Sequence, residues 1–163
     1  MNDENPLWKF AVEIYSREDV SEILLYAQDQ FSIDVNMILY SAWLACENRS
    51  LSTRNVSEVE NLVAAWRREV VLPIRCLRKS FRSIVGADLI REEVKKAEIL
   101  AEMEQLKMMY NIFLETSSAE FEKSKADLLE NNLRSLSEMG FDDEVILVRM
   151  KKILLEEMGW YIS

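Results

Sequence analysis

The chain has 163 residues, 49% of them hydrophobic, and carries 29 acidic against 20 basic side chains for a net charge of −9. That size and apolar content suit a folded unit with a real core and exclude a wholly disordered chain. Three Gly, two Pro and no His leave little turn chemistry for a many-stranded sheet, and they remove Ser-His-Asp, Cys-His, HExxH and Glu-x-x-His chemistry outright.

The remaining motif classes are also missing. No GxGxxG and no GxxxxGK[ST] occurs, so neither a dinucleotide nor a P-loop phosphate site is signalled, and no motif assigns a cofactor, a metal ligand set or a catalytic residue. No apolar run approaches the roughly 20 residues needed to cross a bilayer, and the acidic start Met1-Asn-Asp-Glu-Asn5 is unlike a signal peptide. A cytoplasmic location follows as the expectation. Cys46 and Cys76 stand alone within apolar helical patterns and read as small buried hydrophobes in a reducing compartment.

In chain order, Pro6 opens a first helix at its N1 position, followed by Leu7, Trp8, Phe10, Ala11, Ile14 and Tyr15. Ser16 and Asp19 have capping-box spacing, and Val20, Ile23, Leu24 and Ala27 mark a second helix ending near Gln28 or Asp29. Asp34 is placed to cap a third, whose Val35, Ile38, Leu39, Ala42, Trp43 and Cys46 form an apolar stripe. This helix should be central and mostly buried. Asn48 to Asn55 reads as a loop, after which Ser57 and Glu60 form a second capping box before Val59, Leu62, Val63, Trp66 and Val70. Pro73 then predicts a kink or break near Leu72.

Beyond the proline, Ile74, Leu77, Phe81 and Ile84 continue an apolar face. On a roughly straight helix Arg68, Arg75, Lys79 and Arg82 fall opposite it as an exposed basic stripe, with Arg78 beside them. Residues 67–82 hold six Lys or Arg against Glu69 alone, a net of +5 within a chain of net −9. Such a cluster steers anionic partners. Arg68, Arg75, Arg78, Lys79 and Arg82 are therefore the candidate partner-binding residues, the partner being another protein, acidic in character. Nucleic acid is disfavoured by the overall charge and by the absence of interleaved aromatics.

Gly86 ends that segment, and Asp88 caps a long helix to about Leu114 through Ile90, Val94, Ala97, Ala101, Met108 and Ile112, with Glu98, Glu102 and Gln105 on its polar stripe. After Thr116 a Ser-Ser-Ala linker leads to two further helices, roughly 118–139 and 142–158, separated by Gly140. Met139-Gly140-Phe141 reads as a helix C-cap followed by a staple residue. The chain thus divides into a helical core, residues 1–115, and an appended acidic helical hairpin, residues 116–163, which either docks on the core or holds a partner chain. The fold class is all-α: a bundle of about five to seven helices, one kinked at Pro73, with the hairpin at its C-terminus.

Trp8-Lys-Phe10-Ala11, Tyr15, Val20, Gln28-Asp29, Asp34-Val35-Asn36, Trp43-Leu44, Trp66 and Pro73-Ile-Arg75-x-x-Arg78 resemble an uncharacterised bacterial family, a domain of unknown function mostly from proteobacteria. The resemblance covers roughly residues 6–110 and excludes the tail. It implies a small helical protein of the bacterial cytoplasm and supplies no mechanism. Ser32 stands where that pattern tends to carry Gly.

Two functional readings remain. The first is a non-enzymatic protein-interaction module presenting the basic face of residues 67–82, compatible with a homo-oligomer. The second is a small-ligand binder or a carboxylate- or metal-dependent enzyme using Asp29, Asp34, Glu98 and Glu102. A polar pocket of Gln28, Asp29, Asp34 and Asn36 is the related candidate, although Asp and Asn at helix ends are ordinary capping residues.

Overall fold

A computed structural model describes residues 5–115, 123–138, 140 and 143–159, and among these every regular element is helical. The α-helices are α1 (Pro6–Tyr15), α2 (Glu18–Phe31), α3 (Val35–Cys46), α4 (Thr53–Trp66), α5 (Leu72–Ser80), α6 (Asp88–Glu115), α7 (Lys125–Ser137) and α8 (Glu144–Glu157). The interruption expected at Pro73 takes the form of a π turn, Arg67–Val71, which joins α4 to α5. A 3-10 turn, Phe81–Ser83, follows α5.

Local chemistry explains most of the boundaries. Asn5 Oδ1 accepts from the Leu7 and Trp8 amides at 3.0 and 3.3 Å, with Pro6 supplying the N1 residue of α1. Asp34 caps α3, its Oδ1 accepting from the Asn36 amide at 2.9 Å. From Asn36 to Cys46 every residue of α3 is buried, so the helix is enclosed on all sides and not only along the stripe. Ser32 ends α2 in the left-handed region with φ 58°, a conformation that favours Gly.

Two starts differ from expectation. Ser16 is the C-cap of α1, its hydroxyl donates back to the Glu13 carbonyl, and the N-cap of α2 is Arg17 with no side-chain cap. The Ser16–Asp19 capping box therefore does not form. Helix α4 begins at Thr53, capped by Ser52 with Asn55 as the reciprocal partner. Ser57 instead lies inside that helix and donates to the Thr53 carbonyl. Two equally spaced polar pairs compete for one helix start, and the upstream pair lengthens the helix by a turn.

The C-terminal helices join the same core as the first four. Leu128, Leu129, Leu133, Ile146, Met150 and Leu154 cluster with Leu7, Phe10, Ile38 and Trp43. Helix α7 lies along α3, and Asn132 fixes that contact: its Oδ1 accepts from the Leu51 amide at 2.6 Å and its Nδ2 donates to the Ser41 and Arg49 carbonyls at 3.0 and 3.1 Å. Ser135 Oγ donates to the Leu51 carbonyl. The tail thus supplies the hydrogen bonds that the α3–α4 loop lacks on its own. The Ser-Ser-Ala linker and both Met139 and Phe141 lie outside the described residues; Gly140 between them has φ 127°.

In contrast, α5 contains no buried residue, and from Asp88 to Ala97 no residue of α6 is buried. Together α5, the 3-10 turn and the first half of α6 form an arm that leaves the core. Val85 and Leu89 at its tip are 102% and 85% exposed.

Candidate functional site

Where the arm joins the body, five helices and the π turn contribute to one charged cluster. Val59, Val63, Arg67, Val71 and Arg75 step by four residues. At 100° per residue an ideal α-helix would swing the last of these about 160° away from the first. The π turn inserts one extra residue and takes about 100° of that back, with the Leu72 amide donating to the Arg67 carbonyl five residues earlier. It sits directly before Pro73, where a regular turn would require the N–H that proline lacks and would press its ring on the carbonyl four residues back. Its consequence is that Arg67 and Arg75 both face inward.

Arg75 is clamped on three sides. Its Nε donates to Glu98 Oε1 at 2.9 Å, its Nη1 to Gln28 Oε1 at 2.8 Å and its Nη2 to Glu102 Oε1 at 2.6 Å. Arg78 adds a two-point contact to Glu98, Nε to Oε2 and Nη2 to Oε1. Beside this, Arg67 bridges Asp34 and Glu60: Nη1 donates to Asp34 Oδ2 at 3.0 Å and to Glu60 Oε2 at 2.9 Å, and Nη2 to Glu60 Oε1. The Gln105 side-chain amide also donates to Asp34 Oδ2, while its own buried Oε1 has no partner. Trp66 Nε1 donates to the Ala101 carbonyl at 2.9 Å, fixing α4 against α6.

The titration behaviour follows from this geometry. Burial pushes the Glu98 carboxyl up, but the hydrogen bonds from Arg78 and Arg75 outweigh it and hold the group below the ordinary carboxylate range. Glu102 has Arg75 alone, and there burial wins, so its carboxyl titrates above that range. The hydrogen bond to Glu60 raises the Arg67 guanidinium against the cost of burial. Burial and the charge of Glu102 raise the Tyr15 phenol, which places α1 within the field of the same cluster. Every guanidinium here is neutralised by carboxylates, and Asp34 combines a helix cap with an ion pair. The network's chemistry is that of a clamp between α2, α3, the α4–α5 rod and α6.

The expected sites redistribute accordingly. The side chains of Arg75 and Arg78 are only 16% and 18% exposed, so the exposed basic stripe does not include them. Arg68, Lys79 and Arg82 do face solvent, with Arg68 paired to its neighbour Glu69 at 2.7 Å. Of the polar-pocket set, Gln28 reaches Arg75 and Asp34 reaches Arg67, while Asn36 is buried and meets Asp34 through its backbone amide. Asp29 is exposed on α2 and stands outside the network. Glu98 and Glu102 converge on Arg75, whereas Asp34 belongs to the adjacent Arg67 group. Sequence reasoning missed Arg67, Glu60 and Gln105. The four-residue spacing from Val59 to Arg75 was the available signal, because no regular α-helix keeps such a spacing on one face.

Among the described residues no group of three His, Cys, Asp or Glu is arranged to hold a metal ion. A cavity of about 170 Å³ adjoins the network, lined by Phe31, Asp34, Met37, Val56, Glu60 and Arg67 among others. That is well under the roughly 300–1,000 Å³ of drug-sized ligand sites. No helix is long and apolar enough to cross a membrane among the described residues.

Fold and site together define an all-helical protein whose internal charges are spent on holding its helices in place. Over residues 6–109 the chain matches the family described as protein of unknown function DUF2390, and it belongs to that family. The matched region contains every member of the clamp and ends within α6, so α7 and α8 lie beyond it. No curated protein and no solved structure matches the chain.

Proposed function

We propose that the protein is a non-enzymatic interaction module of the bacterial cytoplasm that docks an acidic, amphipathic segment of another protein on the outward side of the π turn and α5. The observation that carries this reading is that exposed Leu72 and Leu77 lie among the exposed cations Arg68, Lys79 and Arg82 along the π turn, α5 and the following 3-10 turn. Apolar side chains supply the contact energy and the cations select an acidic partner and speed its approach. Because Arg75 and Arg78 are occupied by Glu98 and Glu102, reversing their charge would break the clamp and report on folding. Lys79 and Arg82 are the residues to reverse.

The test is site-specific photo-crosslinking from position 77 in bacterial lysate with and without nuclease treatment, with mass spectrometry of the adduct. A single dominant protein adduct, lost in the K79E/R82E variant while the helical circular-dichroism signal is unchanged, is the expected result. An adduct pattern no different from that of a probe at Val148, on α8, would refute the reading. So would an adduct lost on nuclease treatment.

A further inference from the structure

The opposite side of the same arm carries a second pattern. Along the outer face of α6, Leu89, Glu92, Lys96 and Ile99 recur at alternating steps of three and four, the spacing of a coiled-coil seam. These residues face away from the clamp, since Glu98, Ala101 and Gln105 are the buried side of α6. Leu89, Ile99 and Leu100 are exposed, as are Glu92 and Lys96. A helix that offers apolar side chains on its solvent face is short of a partner.

We infer that the partner is a second copy of this chain, with α6 packed antiparallel on its symmetry mate about a two-fold axis beside Val94. In that arrangement each residue meets the one equally far on the other side of Val94. Leu89 meets Ile99 and Glu92 meets Lys96, while Glu93 and Lys95 stand in the same relation on the flank. Every apolar residue of the seam faces an apolar one and every acid faces a base. The axis makes each pairing twice, as an isologous interface requires. A parallel pairing would set Glu92 against Glu92 and Lys96 against Lys96, so charge fixes the direction. Within its own helix Lys96 pairs with Glu93 at 2.6 Å, both side chains being about two-thirds exposed. Exposed pairs of this kind hold a side chain weakly and leave it free to cross to the mate.

The inference is independent of the proposed docking strip. Helix α5 packs against α6 through Glu98 and Glu102, so a dimer built on the outer face leaves both α5 strips open.

Self-complementarity allows a test that no other partner would satisfy. Sedimentation velocity is run on the full chain, on E92K, on K96E, and on an equimolar mixture of the two variants. The native protein should dimerise with a Kd on the order of 10 μM. Each variant alone sets like charges together twice and should associate at least about tenfold more weakly. In the mixture one chain presents only cations at the two positions and the other only anions, so the heterodimer should form at native strength or better. A native chain that stays monomeric to about 100 μM overturns the inference. So do variants that dimerise as the native chain does, or a mixture that fails to restore association while each variant keeps the native helical signal.

Discussion

Replacing Arg75 with Met keeps an aliphatic stem of similar length and deletes three hydrogen bonds, those to Gln28, Glu98 and Glu102. Glu98 retains Arg78, so the uncompensated charge falls chiefly on Glu102. Removing one member of a buried ion pair costs about 3–5 kcal/mol, and with Arg78 still in place and Glu102 partly exposed the R75M variant belongs at the lower end, about 3 kcal/mol at neutral pH. The loss must also depend on pH in a definite direction. Burial already raises the Glu102 carboxyl against the pull of Arg75, and without the guanidinium it rises further. A raised carboxyl counts against the fold above its folded pKa, and that cost vanishes as pH falls towards the unfolded value of about 4.3. Glu98, held low by two arginines, adds stability above its unfolded value and loses it as pH falls through the folded one. Without Arg75 that contribution shrinks. Both effects make the gap between native protein and R75M widest at neutral pH and narrower on acidification. Urea unfolding followed by far-ultraviolet circular dichroism, at pH 7.5 and again near pH 5, measures the gap directly. A difference below about 1 kcal/mol at the higher pH, or one that is the same at both, would refute the clamp.

Asn132→Ala strips hydrogen bonds from three backbone groups, the Leu51 amide and the Ser41 and Arg49 carbonyls. The Ser41 carbonyl keeps its place in the α3 hydrogen-bond ladder, so the cost falls chiefly on the buried Leu51 amide and should be about 1–2 kcal/mol, with hydrogen exchange at that amide accelerated; native-like protection there would count against the anchor. Ser32→Gly relieves a side chain held at φ 58° and should raise stability by about 0.5–1 kcal/mol. It should appear as a higher urea midpoint at unchanged slope, and a lower midpoint would show that the Ser32 side chain stabilises the turn.

Elements were legible from the sequence wherever local chemistry decides. Pro6 and Asp34 open α1 and α3 as their positions imply, and the long apolar period of α6 was read to within a residue of its end. The α2 and α4 starts were not, because Ser16–Asp19 and Ser57–Glu60 have the right spacing and the wrong neighbours. The orientation of Arg75 and Arg78 failed for a different reason: periodicity assumes 3.6 residues per turn, and one π turn rotates everything after it. Glu98 and Glu102 were visible as an ordinary helical pair, but nothing local said that Arg75, more than 20 residues away in sequence, would close on them. Asn132 lies 81 residues from Leu51, and no pattern in the chain connects the two.

The arm has a dynamic consequence. Its own helices bury almost nothing, and its attachment runs through Arg75, Arg78, Glu98 and Glu102 together with the π turn. Native proteins open in cooperative pieces, the pieces with least buried apolar surface at lowest free energy. On that ground the fold should show two tiers of stability, the arm opening at lower free energy than the body, with the ion-pair cluster as the latch between them. A second chain bound along α6 would raise the lower tier without touching the upper one.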